Sequence, residues 1–455
     1  MGVFSALTTA VSGMQAQSYA LENISVNIAN SRTAGFKRVD TSFADLVPDS
    51  ALNRQLSGSV AAYSQATNTI QGDLSATRID TNVAINGDGF FVVDQRQSGV
   101  GSNTQFSNTN LYTRRGDFDF DTNGYLVNGA GYYLKGQKID PVTGQVVGTR
   151  PEVLRITKEQ FPAKATTSIE YRANIPAVPN TDRKRGGGDD LVETSVRTAA
   201  TITGDDIQPF LQTTIPGGSV TVYDALGNAT SVELRWGKTA GATGTDSGTW
   251  SLYIAKDTGA TGTDVAYTRV ADGITFDDTG KISNPADGEI AIGDFSVGPA
   301  ANNPPTISGL QMSTGGNGLT QNGDSSGQID ARSIRQDGYT AGTLDRVSVS
   351  SEGQVIGTFS NGEVVALAQI AVARFNSGNS LKRLDGGAFE ETIESGPPIV
   401  GLGTSQLIGG NVEQSNTDIA DEFSKMIVTQ QAYSANTKVI STAQEMLNSV
   451  FNIIR

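Results

Sequence analysis

The chain carries no cysteine and no histidine. The first absence removes disulfides, thiol nucleophiles and thiolate metal sites; the second removes the commonest general base and zinc ligand. Metalloenzyme and triad-hydrolase chemistry therefore have little to build on. Without thiols the fold is also indifferent to the redox state of its compartment. Only 2 Trp, 5 Met and 14 Pro stand against 53 Gly in 455 residues, a balance that suits many short strands joined by tight turns. Basic residues are outnumbered 33 to 47, the net charge is -14, and no Lys/Arg cluster stands out, so a nucleic-acid partner fits poorly. No stretch is long and apolar enough to span a bilayer, and direct membrane insertion is not expected. Residues 1–31 hold a single charge, Glu22, with no basic n-region and no unbroken apolar run, so no cleaved secretory signal is expected.

What is present is a symmetry between the two ends. A seam in steps of three and four runs Phe4, Leu7, Val11, Met14, Ser18, Leu21, Ser25, Ile28. A second runs Ile419, Phe423, Met426, Gln430, Tyr433, Thr437, Ile440, Gln444, Leu447, Phe451, Ile454. A spacing averaging about 3.5 residues is the coiled-coil period, so each end reads as a long helix burying a narrow stripe against another helix. The bland alternative is a surface helix lying on its own domain core. Against it, Asn, Gln, Ser, Thr and Ala dominate the non-seam positions where a solvated face would carry Lys and Glu, which suits a helix contacted on several sides. A membrane-surface helix would carry Lys and Arg on its polar face, and the N-terminal one has none. The polar seam positions fix register at a cost in stability, so the free subunit is expected to have frayed termini that order on assembly.

Between the ends the pattern is β. The N-terminal helix is expected to stop near Asn30, before Ser31, Thr33 and Gly35. Residues 32–80 read as an extended connector with little core of its own. Strand patterns begin at Val83 and Ile85 and continue in the run Phe90 to Val93, with hairpin signals at Asn123-Gly124, Asn128-Gly129 and Asn361-Gly362. Alternation is clear in Val220 and Val222, in Val232, Leu234 and Trp236, and in Trp250, Leu252 and Ile254. Residues 181–190 read as an exposed loop and 295–328 as irregular loop. The C-terminal helix opens at Asn416-Thr417-Asp418, a cap cluster with Asp418, Asp421 and Glu422 in its first turn. The fold class is mostly β with long, paired, coiled-coil-like terminal helices. Residues 1–31 and 416–455 form the helical part, 81–160 and 340–415 a discontinuous β-domain, and 161–339 an inserted β-region of one domain or two.

Candidate chemistry is sparse. Asp117, Asp119, Asp121 and Asn123 open like a calcium loop, but Thr122 stands where Gly is needed and Asn128 where a bidentate Glu is needed. Strand alternation ending in an Asn-Gly turn accounts for the same residues. Lys238 follows Gly237, yet Val232 occupies the first Gly of a phosphate loop, and Gly401-Leu402-Gly403 is a lone GxG without strand-helix context. No catalytic residue, cofactor or metal site can be named.

Specific strings carry a family resemblance. NIANSRTAGFK at 27–37 resembles the N-terminal signature of bacterial flagellar rod and hook axial proteins, with Asn27, Ile28, Ala29, Asn30, Gly35 and Phe36 as its matching positions. INGDGFFVVD at 85–94 and YTRRGDFDFDTNGYLVNGAGYYLKG at 112–136 are similar to that family's first β-domain, and YDALGNATSVELRW at 223–236 to the middle region of its hook members. SSEGQVIGTFSNGEVVALAQIAVARF at 350–375 and TDIADEFSKMIVTQQAYSANTKVISTAQEMLNSVFNI at 417–453 resemble the returning domain and the C-terminal helix. Length and the large insertion favour the hook members; a distal-rod type subunit is the alternative. The resemblance implies a non-enzymatic subunit of a curved, hollow helical homopolymer that acts as a universal joint in the extracellular flagellum. It further implies rod, hook-cap and hook-filament junction proteins as neighbours and passage through the flagellar type III export apparatus. In such a tube the terminal helices line the interior, the connector and first β-domain form the wall, and the insertion lies outside. The helix seam, with Phe4, Leu7, Val11, Met14, Leu21 and Ile28 on one side and Ile419, Phe423, Met426, Tyr433, Ile440, Leu447 and Phe451 on the other, is the expected assembly interface.

Overall fold

A computed structural model describes residues 3–46, 59–98, 104–141, 143–158, 160–241, 248–298 and 306–453. The chain forms two compact units, one of Met1–Glu159, Leu344–Phe359 and Glu363–Arg455, the other of Gln160–Thr343 with Ser360–Gly362.

The first unit begins with a helix, Val3–Ala29, and ends with another, Ile419–Ile453. The first stops where Ser31 and Thr33 turn the chain and Gly35 takes a φ of 65°. The last starts at Asp418, whose carboxylate accepts the Ala420 N–H at 2.8 Å, an N-cap that satisfies an orphan donor. Between the helices lies a mostly antiparallel sheet in which Tyr132–Ile139, Phe90–Ser98 and Leu111–Thr113 are successive neighbours. The strand Phe90–Ser98 is buried on both faces at its start: Phe91 and Val93 enter a core with Val83, Leu134 and Ile370, while Phe90 and Val92 enter one with Tyr112 and Phe389. That double burial explains an unbroken apolar run where alternation would otherwise appear.

Residues 32–80 are not merely extended. Val39–Leu46 pairs with Ser59–Ala66 along its full length, with Phe43 opposite Ala62. These strands hide from a pattern search because nine of their sixteen residues are Ala, Ser, Thr or Gln, and Phe43 and Tyr63 stay exposed. The hairpin lies against the N-terminal helix, where Tyr19 OH meets Ser64 Oγ at 2.7 Å and Asn23 Nδ2 donates to Thr41 Oγ1 at 2.9 Å.

The second unit holds two sheets that share one core, and a second cluster in which Val192, Val196 and Phe210 pack with Tyr253 and Tyr267. Ile215–Tyr223, Ala229–Ala240, Thr249–Ala255 and Val265–Phe276 follow one another in antiparallel order. The alternating residues meet across strands, Val220 with Val232, Trp236 with Leu252 and Leu234 with Ile254. Ile169 and Tyr171 from the second sheet enter the same core. Two loop expectations are corrected here. Residues 306–313 form a strand with Ile307, Leu310 and Met312 buried, their alternation broken by Gly309 at a φ of 66°. Within 181–190, Asp182–Arg185 is a helical turn capped by Thr181.

Candidate assembly surface of the terminal helices

The two helices pack antiparallel, since Gly13 faces Asn436 while Asn27 Nδ2 reaches Glu422 Oε2 at 3.0 Å. A Cβ at Gly13 would lie 2.9 Å from Asn436 Nδ2, so a glycine lets the helices approach closely at that level. Apart from Ile24, the buried positions are small or polar: Ala10, Ala16, Ala20 and Asn27 on the first helix, Glu422, Thr429 and Ala443 on the last. The seam expected from sequence is divided. Leu7, Met14, Leu21, Ile28, Met426, Ile440 and Leu447 are half-buried. Phe4, Val11, Ile419, Phe423 and Tyr433 are exposed, Phe4 at 71% and Phe423 at 49%. The polar seam members Ser18, Ser25, Gln430, Thr437 and Gln444 also face outward. The side chain of Phe451 and residue Ile454 lie outside the described residues.

Close approach explains the split. The N-terminal helix is flanked by both the C-terminal helix and the hairpin, so its small residues take the tight contacts and its larger ones turn to the margins. Beyond the expected seam, Ile427, Val428, Val439 and Met446 stand out of the last helix, Val428 at 65% exposure. A single chain thus leaves two apolar strips on that helix, Ile419, Phe423 and Ile427 on one side of its buried stripe and Val428, Val439 and Met446 on the other.

The signature residues do structural work at the foot of the pair. Asn27 is buried; its Nδ2 and Oδ1 both bond the backbone of Val39, at 2.9 Å each. Asn30 and Thr33 bond each other at 3.2 Å through their side chains. Ile28 is half-buried and Ala29 exposed. Any Cβ at Gly35 would sit 2.6 Å from the Arg115 backbone nitrogen, so that position admits only glycine in this packing. The Phe36 ring lies 5.3 Å below the Arg383 guanidinium. Lys425 bridges Glu422 at 2.8 Å and Asp40 at 3.2 Å. Burial alone would lower its pKa, but these two carboxylates outweigh that and raise it.

Several residues at this foot escape sequence reasoning. Asn416 accepts the Arg38 N–H at 2.7 Å and donates to the Ile70 carbonyl at 3.2 Å. Glu422 lies in the first turn as expected, but its burial against Asn27 is not legible there. Lys37, Arg114 and Glu413 form a buried ion cluster. No local pattern marks these partners, which lie hundreds of positions apart.

The acidic run at 117–123 is committed elsewhere. Phe118–Phe120 pairs with Leu126–Asn128, Asp121 Oδ1 accepts both Asn123 N–H and Tyr125 N–H at 2.8 Å, and Asp117 pairs with Arg115. Among the described residues no group of three or more Asp, Glu, His or Cys is arranged to hold a metal ion. No helix among them is long and apolar enough to cross a membrane.

Four family models match in chain order: flagella basal body rod protein at 7–37, flagellar hook protein FlgE/F/G D1 domain at 84–174, flagellar basal body protein FlaE D2 domain at 194–339, and flagellar basal body rod FlgEFG protein C-terminal at 408–453. The chain is 28% identical over 459 residues to the flagellar hook protein FlgE of Brucella suis biovar 1, covering 100% of both chains. It is 27% identical over 458 residues to the FlgE of Salmonella typhimurium, covering 98% of both. A crystal structure of the Helicobacter pylori flagellar hook protein FlgE2 aligns with a TM-score of 0.47 at 16% identity, covering 73% of this chain and 98% of that one. With helix, β-domain, insertion and helix matched in that order and the hook relatives matched end to end, the chain belongs to the flagellar hook protein family.

Proposed function

We propose that this chain is the non-enzymatic structural subunit of a bacterial flagellar hook. Copies stack helically into a curved hollow tube that passes motor torque to the filament as a universal joint. The observation that carries this reading is the pair of apolar strips on the C-terminal helix, Phe423 and Ile427 on one side and Val428, Val439 and Met446 on the other, in water when the chain is alone. A neighbouring copy's helices supply the cover, and the seam residues Phe4, Val11, Ile419 and Phe423 are the contacts assigned to that interface. A distal-rod subunit would share both ends but build a straight shaft. The hook reading is favoured because hook proteins match the whole length, insertion included.

On this reading the tube stands outside the cell. Rod proteins meet it at its base, a cap and junction proteins at its tip, and subunits pass through the flagellar export apparatus without a cleaved signal. The test is electron microscopy of the purified chain salted toward polymerisation, beside a version lacking residues 1–31 and 416–455. Curved hollow tubes from the full chain alone support the proposal. Straight tubes would transfer the assignment to a rod component, and tubes from the truncated chain would refute assembly through the terminal helices.

A further inference from the structure

At the foot of the helix pair, one carboxylate gathers four segments of the chain. The side chains of Lys37, Glu413 and Arg114 are 0%, 0% and 1% exposed. Glu413 takes Lys37 Nζ on Oε1 and Arg114 Nη1 on Oε2 at 3.3 Å, while the Gly72 N–H reaches Oε1 at 2.9 Å. Its backbone carbonyl accepts the Gly35 N–H at 2.7 Å. Arg114 also donates to the Gly87 carbonyl at 2.8 Å, and Lys37 to that of Ile70. The segment leaving the first helix, the return at 70–72, the β-domain and the strand Asn411–Glu413 that feeds the last helix thus meet at a single buried point.

A buried ion cluster is a poor choice for stability alone, since apolar side chains of similar volume often serve as well. What it provides is intolerance of partial movement. Shifting any one segment leaves a buried charge short of an ionic or hydrogen-bond partner and away from water, so the contacts hold together or fail together. A second ring of polar bonds follows the same boundary, through Asn416 to Arg38 and Ile70, Asn27 to Val39 and Glu422, and Lys425 to Asp40.

We propose that Glu413 is the keystone of an all-or-none joint that fixes the direction of both terminal helices on the β-domain. A twist applied to the helices then passes directly into the β-domain, and the compliance of an assembled tube resides between copies. The torque statement rests on the hook reading; the joint is a property of one chain.

Hydrogen exchange by mass spectrometry on the unassembled full chain tests it, with Glu413→Gln and Asn416→Ala beside the wild type. Glutamine keeps the shape but removes the anion that Lys37 and Arg114 share. Exchange is expected to accelerate about tenfold or more together at 33–38, 70–72 and 417–425, with the strands Phe90–Ser98 and Tyr132–Ile139 unchanged. Asn416→Ala, which strands no charge, is expected to accelerate the same three segments less, and it carries the test if Glu413→Gln does not fold. Acceleration in one segment only, equal acceleration across the whole β-domain, or none at all overturns the joint. Exchange is read before assembly, so a wild type that forms no tubes would count against the hook assignment and leave the joint to be decided by exchange alone.

Discussion

At the scale of single residues, charge placement makes the sharpest forecasts. Burial would raise the Asp337 carboxyl, but the Ser168 and Thr167 N–H groups, the Thr167 hydroxyl and Lys164 hold it down to about 2 from an ordinary 3.8. A depressed carboxyl contributes stability above its unfolded pKa and loses it as pH falls through the folded one. The second unit should therefore lose about 1 kcal/mol between about pH 4 and pH 2, the figure kept low because the group is partly solvated. Asp337→Asn should flatten that slope in denaturant titrations at several pH values; an unchanged slope would sink the assignment. This residue illustrates what a sequence conceals. Asp337 meets Thr167 across 170 positions, and Lys37 meets Glu413 across 376, with no periodicity to signal either. Trp236 and Leu252 were legible because alternation on neighbouring strands declares its own face.

At the scale of elements, the terminal helices were legible as helices, and their outward face less so. Heptad spacing marks apolar positions without saying which neighbour they meet. The intrachain contact here is lined by Ala10, Ala16, Ala20, Thr429 and Ala443, residues that a hydrophobicity pattern passes over. The hairpin Val39–Leu46/Ser59–Ala66 was missed for the same reason, because its strands are built mostly of small or polar residues. The division of the seam can be tested by paired substitutions. Phe423→Asp is exposed and near a helix N-terminus, so chain stability should move by no more than about 0.5 kcal/mol while tube formation is lost. Leu21→Asp is half-buried in the helix pair and should cost about 2 kcal/mol in the free chain as well. Thermal melts beside sedimentation would separate the two; normal sedimenting tubes from Phe423→Asp would remove that residue from the interface.

At the scale of the molecule, the insertion has a core of its own, with Tyr171, Trp236, Trp250 and Phe276 fully buried within it. Replacing residues 160–343 by a flexible Gly-Ser linker should leave the first unit folded, with Val83, Phe91 and Ile370 still packed together. On the hook reading such a chain still polymerises, and its tubes differ in curvature from wild type when imaged. Failure to polymerise would place an essential contact in the insertion.

The antiparallel pairing of the first helix with the last sets an order in time. Asn27 waits for Glu422 across 395 positions, so a chain emerging from its amino end has only the near hairpin to set against its first helix, and the face turned to the last helix stays open until nearly the whole polypeptide has appeared. An isolated helix of such polar, alanine-rich composition is marginal in water. A chain cut short anywhere before the last helix never completes the pair. The two ends together act as a check on completeness: only a full-length molecule can present the finished surface to the next copy.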